Sequence, residues 1–223
     1  MNTVESEHDS RATRWESGIS LMELLVAMSI LAVVTTMILM GWFALQRSYA
    51  TTTKSDHARV DAREATTRMV MDIRAAEAVP GNAVLAGGGR VVSADTGREW
   101  VDFWTTFNHP GSLMLTRYEY RWTTAGGHST GSIFRIKNVG AANETETAVV
   151  SNVVNGASYP VFAYLSVDAS GTPTLLATIP ANQTALASVS AIEIHVQVDL
   201  NPGKSPTYMD IRTTAQLRNQ RQF

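Results

Sequence analysis

Hydrophobic positions are concentrated at one end of this chain. From Ile19 to Gln46 it reads ISLMELLVAMSILAVVTTMILMGWFALQ, 28 positions with a single ionisable side chain, Glu23. A helix of that length extends about 42 Å at ~1.5 Å per residue, and a bilayer core needs only about 20 such residues. An apolar surface on every side for seven turns leaves no face for water, so the pattern predicts a membrane-spanning helix rather than the core helix of a soluble domain. A secretory signal peptide is the competing reading, because the block follows a short polar stretch with Arg11 and Arg14. The block is too long for that, carries an acid in its first turns and lacks a small-x-small site at its far end. The helix is therefore expected to be retained.

Past this block, Ala58, Ala62, Ala65, Met69, Ile73 and Ala76 recur at spacings of four, three, four, four and three, with charged residues from Lys54 to Arg68 on the other faces. That period predicts an amphipathic continuation, one helix running from residue 19 to Val79. Val79-Pro80-Gly81-Asn82 stops it, since proline disfavours helix in the residue before it and glycine suits a turn. Gly41 loosens the helix by about 1 kcal/mol relative to Ala.

After a flexible Ala86-Gly87-Gly88-Gly89 stretch the pattern switches to alternation. Strands are expected at 100–107, 113–122, 133–138, 161–167, 174–179, 192–200 and 208–217. Gly126-Gly127, Asp168 to Gly171 and Asn201 to Lys204 suit hairpin turns, so neighbouring strands are expected to be antiparallel. The expected class is α+β, a long N-terminal helix laid on a mainly antiparallel sheet.

Composition narrows the function. The 223 residues suffice for one domain plus an extension, and 18 basic against 20 acidic residues give a net charge of −2. No basic field of the kind that holds nucleic acid tightly is present. The absence of Cys removes disulfides, thiolate zinc sites, iron–sulfur clusters and thiol nucleophiles, and is compatible with either redox compartment.

Glu23 needs an explanation, because a carboxylate in hydrocarbon costs at least a few kcal/mol unless it is paired, neutralised or near the interface. Its surroundings, Ser17-Gly18-Ile19-Ser20-Leu21-Met22-Glu23, place a glycine just before the block and the acid at the block's fifth position. This string resembles the prepilin processing site of type IV pilins and type II secretion pseudopilins. The resemblance implies cleavage after Gly18 by a membrane prepilin peptidase, a mature N-terminus at Ile19 that is N-methylated, and Glu23 as the carboxylate used in assembly. Residues 19 and 23 are i and i+4, so on a helix amine and carboxylate share one face. Between neighbouring protomers, pairing of such groups in low dielectric converts two desolvation costs into one register-setting contact.

The resemblance also implies a pilin-like fold organised as leader 1–18, transmembrane and filament-core helix 19–46, amphipathic continuation 47–79 and β-rich head 80–223. The expected partners are prepilin peptidase, other pilin or pseudopilin subunits met through the N-terminal helix, and the cytoplasmic membrane. Nucleic acid is expected as a partner only if the filament serves DNA uptake. The strings Met71-Asp72-Ile73-Arg74-Ala75-Ala76 and Gln216-Leu217-Arg218-Asn219, with a mature chain of 223 − 18 = 205 residues, resemble minor subunits of the J-like or W-like kind. Ile19 stands where the family more often has Phe, and the leader is acidic rather than basic. Arg47, Lys54, Arg59 and Arg63 after the block outnumber Arg11 and Arg14 before it, which taken alone favours the opposite orientation. Cleavage requires Gly18 to face the cytoplasm, and the processing motif decides. The rivals are a permanently anchored receptor or sensor with a β-rich binding head, and a secreted adhesin or enzyme.

Catalytic chemistry is not expected, and neither a cofactor nor a metal. The five His show no HExxH and no i, i+4 pair, and there is no phosphate loop or G-x-S-x-G elbow. Asp168 and Ser170 match no Ca²⁺ loop pattern. His195 is expected on a solvated sheet face with Glu193 and Gln197. Trp100, Phe103, Trp104, Phe107, Tyr118, Tyr120 and Trp122 are expected to be core rather than a platform for single-stranded DNA.

Overall fold

A computed structural model describes residues 19–77, 84–93, 96–106, 112–125, 128–157, 159–167, 170, 172–176, 183–202 and 208–217. The leader, the Pro80 turn, Gly126-Gly127, Asp168, Phe107 and Arg218-Asn219 lie outside them. Two units emerge, residues 1–50 and 51–223.

The N-terminal unit holds the first part of helix α1 (Leu21–Arg74). Every described residue up to position 50 is exposed. The rest of α1 belongs to the second unit, where it buries Ala62, Ala65, Thr66, Met69, Val70, Asp72 and Ile73. These are the positions that the period of three and four selected, joined by the neighbouring Thr66, Val70 and Asp72. Burying a side chain such as Met69 or Ile73 contributes roughly 1.5–3 kcal/mol each.

Nine strands follow: β1 (Leu85–Val92), β2 (Thr96–Thr105), β3 (Met114–Ala125), β4 (His128–Lys137), β5 (Thr145–Val153), β6 (Phe162–Val167), β7 (Pro173–Leu175), β8 (Val189–Asp199) and β9 (Tyr208–Gln216). A short helix α2 (Gln183–Ala187) precedes β8. The strands form one antiparallel sheet in the order β1-β2-β3-β4-β5-β8-β6-β7, with β9 on the other edge of β8. The architecture is thus α+β, a long N-terminal apolar helix with a curled antiparallel sheet. The curl brings β6 against β2, which is not its neighbour in the order. Tyr164 Oη donates to the carbonyl of Trp100 at 3.1 Å, and the Glu99 carboxylate accepts the amides of Val161 and Phe162.

Three features depart from the sequence reading. Helix α1 ends at Arg74 rather than Val79, because Ala76 bridges to Thr105 and Glu77 N–H donates to Trp104 O. β1 reaches only as far as Leu85 opposite Phe103, so this end of β2 is vacant and the chain leaving the helix fills it. Second, the glycines at 87–89 are not a flexible loop but part of β1. A Cβ at Gly89 would overlap the Trp100 ring and one at Gly88 the Tyr164 hydroxyl, so glycine is what lets these side chains lie across the strand. Third, β5 was not anticipated, because its first four residues are exposed and show no alternation.

Where β8 passes from β5 to β6, the side chain of Asn155 stands in for a peptide unit. Its Nδ2 donates to His195 O at 2.8 Å and its Oδ1 accepts from Gln197 N–H at 2.8 Å. The core is one cluster that includes Met69 and Ile73 of α1 with Phe103, Tyr118, Tyr120, Ile133 and Ile192 of the sheet.

Candidate functional site

Ser20 and Glu23 form the first turn of α1. Ser20 N–H donates to Glu23 Oε2 at 3.0 Å, and Glu23 N–H donates to Ser20 Oγ at 3.2 Å. This is a capping box, S-x-x-E, in which two amides that the helix leaves without partners are satisfied reciprocally. The Leu24 amide makes the first intrahelical bond, to Ser20 O at 3.1 Å. A carboxylate here also faces the positive end of the helix dipole. Ile19 precedes the helix instead of sitting on its first turn, so residues 19 and 23 are not stacked as i and i+4 within one helix. The reason is the cap: Ser20 has to leave helical geometry to receive the Glu23 amide. Among the described residues Glu23 Oε1 has no partner. Gly18 lies outside the described residues.

The helix behind this cap is the one helix among the described residues long and apolar enough to cross a membrane, and its apolar stretch is not buried. Two of its hydroxyls are satisfied internally: Ser29 Oγ donates to Val26 O at 2.8 Å and Thr36 Oγ1 to Ala32 O at 2.7 Å. A hydroxyl bonded to its own helix is tolerated in hydrocarbon. Trp42, Phe43 and Tyr49, all exposed, surround Arg47 at the far end, the residue types that anchor a helix at a headgroup layer.

The head holds buried charge that the sequence reading did not single out. Asp72 of α1, 1% exposed, accepts from Tyr118 Oη at 2.6 Å and pairs with Arg135 Nη2 at 2.8 Å. Burial, with Asp72 beside it, pushes the Tyr118 phenol well above its ordinary range. On the opposite face of β2 and β3, Arg117 is bidentate to Asp102 at 2.7 and 2.9 Å, and Arg121 bridges Glu119 at 3.1 Å and Glu146 at 2.9 Å. Hydrogen bonding to Asp102 raises the Arg117 pKa, and bonding to Glu119 does the same for Arg121. Arg98 and Arg117 lie over Trp100 and Arg121 over Phe134. A shallow groove of about 530 Å³ runs along this face, lined by Arg98, Arg117, Arg121 and Glu119 among others.

The aromatics divide accordingly. Phe103, Tyr118, Tyr120 and Trp122 are core, with Phe103 stacked on Tyr118 and Tyr120 on Trp122. Trp100 and Trp104 are half-buried on the other face. His195 does share a face with Glu193 and Gln197, but that face is not solvated at the histidine, which is 8% exposed. Tyr159 covers it edge-on, and the histidine Nε2 lies 2.8 Å from Asp210 Oδ1. No cluster of three or more His, Asp or Glu suited to a metal occurs among the described residues. Ser170, from the turn considered for calcium, is hydrogen-bonded to Thr172 at 3.0 Å.

The S-x-x-E signature before the apolar run was the signal for Ser20. Nothing comparable marked Asp72 or Glu99, whose burial arises from the tertiary fold. Comparison with family models, with curated proteins and with solved structures finds no match for this chain.

Proposed function

We propose that this chain is a pilin-like structural subunit, of a minor pilin or pseudopilin kind, that is cut after Gly18 and assembled through its N-terminal helix. The carrying observation is an apolar helix, exposed throughout its first 30 residues, that follows Gly18 and Ile19 in the sequence and carries a carboxylate at the fifth position after that glycine. No catalytic role is assigned to any side chain. In this reading Glu23 sets register between subunits: its Oε2 is held by the Ser20 amide while Oε1 is left to meet the terminal ammonium of a neighbour. The subunit is held in the cytoplasmic membrane with its head outside, then drawn into a filament with other pilins. Pilus assembly, type II secretion and DNA uptake all use such filaments.

The test is the mass of the mature chain in cells with and without prepilin peptidase. A chain beginning at N-methylated Ile19 only when the peptidase is present supports the reading. A chain beginning at Met1 in both strains rejects it and favours a single-span receptor or sensor, for which the groove along Arg98, Arg117 and Arg121 is the binding surface to examine.

A further inference from the structure

Asn155 and Gly156 form the one Asn-Gly pair in the sequence. That dipeptide is chemically labile, because no side chain on the glycine hinders its nitrogen from attacking the asparagine carboxamide. Two separate demands of the fold place it here. The carboxamide of Asn155 completes the pairing of β8, with Nδ2 donating to His195 O and Oδ1 accepting from Gln197 N–H, each at 2.8 Å. Gly156 has a φ of +56°, and a Cβ there would lie 2.7 Å from Ser129 Oγ, so both the backbone and the space select glycine. The connection then enters β6, whose first amides meet Glu99 at the seam with β2.

Both reacting groups are held away from reaction. Asn155 is 2% exposed, and its carboxamide is bound to β8 at both ends, so its carbon cannot turn back toward the following nitrogen. Gly156 is buried as well; its N–H donates to Tyr120 Oη at 3.2 Å, and its carbonyl accepts from Arg90 Nη2 at 3.3 Å. Tyr120 Oη itself donates to Val153 O at 3.3 Å, which ties the pair to the end of β5.

We infer that Asn155 is a deamidation site gated by the fold, inert while the junction of β5, β8 and β6 is closed and converted when it opens. In the open chain the Gly156 nitrogen gives its proton to hydroxide and bonds to Asn155 Cγ. The Cγ–Nδ2 bond then breaks, and Nδ2 leaves as ammonia with a proton from water. The succinimide so formed takes up water at either carbonyl carbon. Breaking the new N–Cγ bond gives Asp; breaking the original peptide bond gives isoaspartate, with the main chain rerouted through Cγ. Water enters, ammonia leaves, and nothing is oxidised. Asp places an acceptor where His195 O needs a donor, in a buried site where that carbonyl finds no substitute. Isoaspartate adds a carbon to the main chain. Either product leaves the junction unable to re-form, so the site records its opening.

The test incubates the full chain at mildly alkaline pH in detergent micelles and, in parallel, in guanidinium chloride. It follows the amide-to-acid mass gain of the peptide carrying residue 155. Conversion is expected in the denaturant and at least about tenfold slower in micelles, where it has to wait for local opening. Tyr120→Phe removes the acceptor of the Gly156 amide. It is expected to raise the rate in micelles about fivefold, the contribution of one ordinary hydrogen bond, and to leave the rate in denaturant unchanged. Amide exchange of the converted chain in micelles is expected to show lost protection at Gln197. Equal rates in micelles and denaturant overturn the gate, and absence of conversion in denaturant overturns the site. Retained protection at Gln197 after conversion overturns the claim that the junction stays open. These overturning results come from the unsubstituted chain and need no variant to fold.

Discussion

Asp72 sits on the helix and reaches across to two strands, so its carboxylate fixes the rotation of the C-terminal part of α1 against β3 and β4. Tyr118 and Arg135 depend on it as much as it depends on them. Removing the acid leaves a guanidinium buried without its charge partner and a phenol without an acceptor, and breaking such a pair costs about 3–5 kcal/mol. Asp72→Ala is therefore expected to lower the denaturant midpoint of the head severely, whereas Tyr118→Phe, which removes a single hydrogen bond, costs only about 1–2 kcal/mol. Equal losses from the two variants would mean that the ion pair adds nothing beyond the hydrogen bond. Neither Asp72 nor Glu99 was legible in the sequence as a buried acid. Each occupies a position whose periodicity is consistent with either face, and only the curl of the sheet decides that the side chain is enclosed. His195 teaches the same lesson from the other side: its strand face was legible, but its cover, Tyr159, comes from a connection that no pattern located.

At the scale of elements, the regular ones were readable because their period persisted. The stripe from Ala58 to Ala76 identified the buried face of α1, and seven of the nine strands overlap an expected one. The missing two fail for opposite reasons. β5 is a strand whose first half has no buried side, and β1 contains three glycines that imitate a loop, two of which, Gly88 and Gly89, serve as the floor for Tyr164 and Trp100. Gly89→Val should thus drive the Trp100 ring off the strand and destabilise the head by about 1–3 kcal/mol or more, as overpacking does. Retention of full stability by that variant would show that the strand tolerates displacement of the ring. At the start of α1, Ser20→Ala removes one half of the capping box and is expected to cost about 1 kcal/mol. The readout is faster amide exchange at the Glu23 amide with no change further along the helix. Exchange that accelerates through Val26 and beyond would mean that the cap holds far more than one turn.

For the whole molecule, the proposed cleavage and assembly roles can be separated. Gly18→Asp is expected to block processing by prepilin peptidase, seen as retention of the leader by mass. Glu23→Val is expected to be processed nearly normally and to enter filaments at a small fraction of the usual level, seen by immunoblot of sheared filaments. Normal incorporation of the Glu23 variant would remove the pairing argument while leaving the processing reading intact. The coarse architecture was legible because a long apolar run, a continued stripe and an alternating region follow one another without overlap. The sheet order was not, since the path from β5 to β8 and back to β6 depends on Asn155 and on the Glu99 seam, contacts far apart in sequence.

The hydrogen bond from Arg74 to the carbonyl of Thr214 joins groups 140 residues apart, and Ala215 beside it is fully buried. A ribosome therefore delivers the helix long before it delivers the strand that covers one flank of it. Throughout that interval the flank of α1 at Val70, Met71 and Arg74, which lies beside Ile211 and Thr213 of β9, has no cover from that strand. Non-local pairing of this kind folds slowly and leaves apolar surface open to aggregation. Synthesis of this chain accordingly includes a window in which the flank of α1 that β9 covers has no cover.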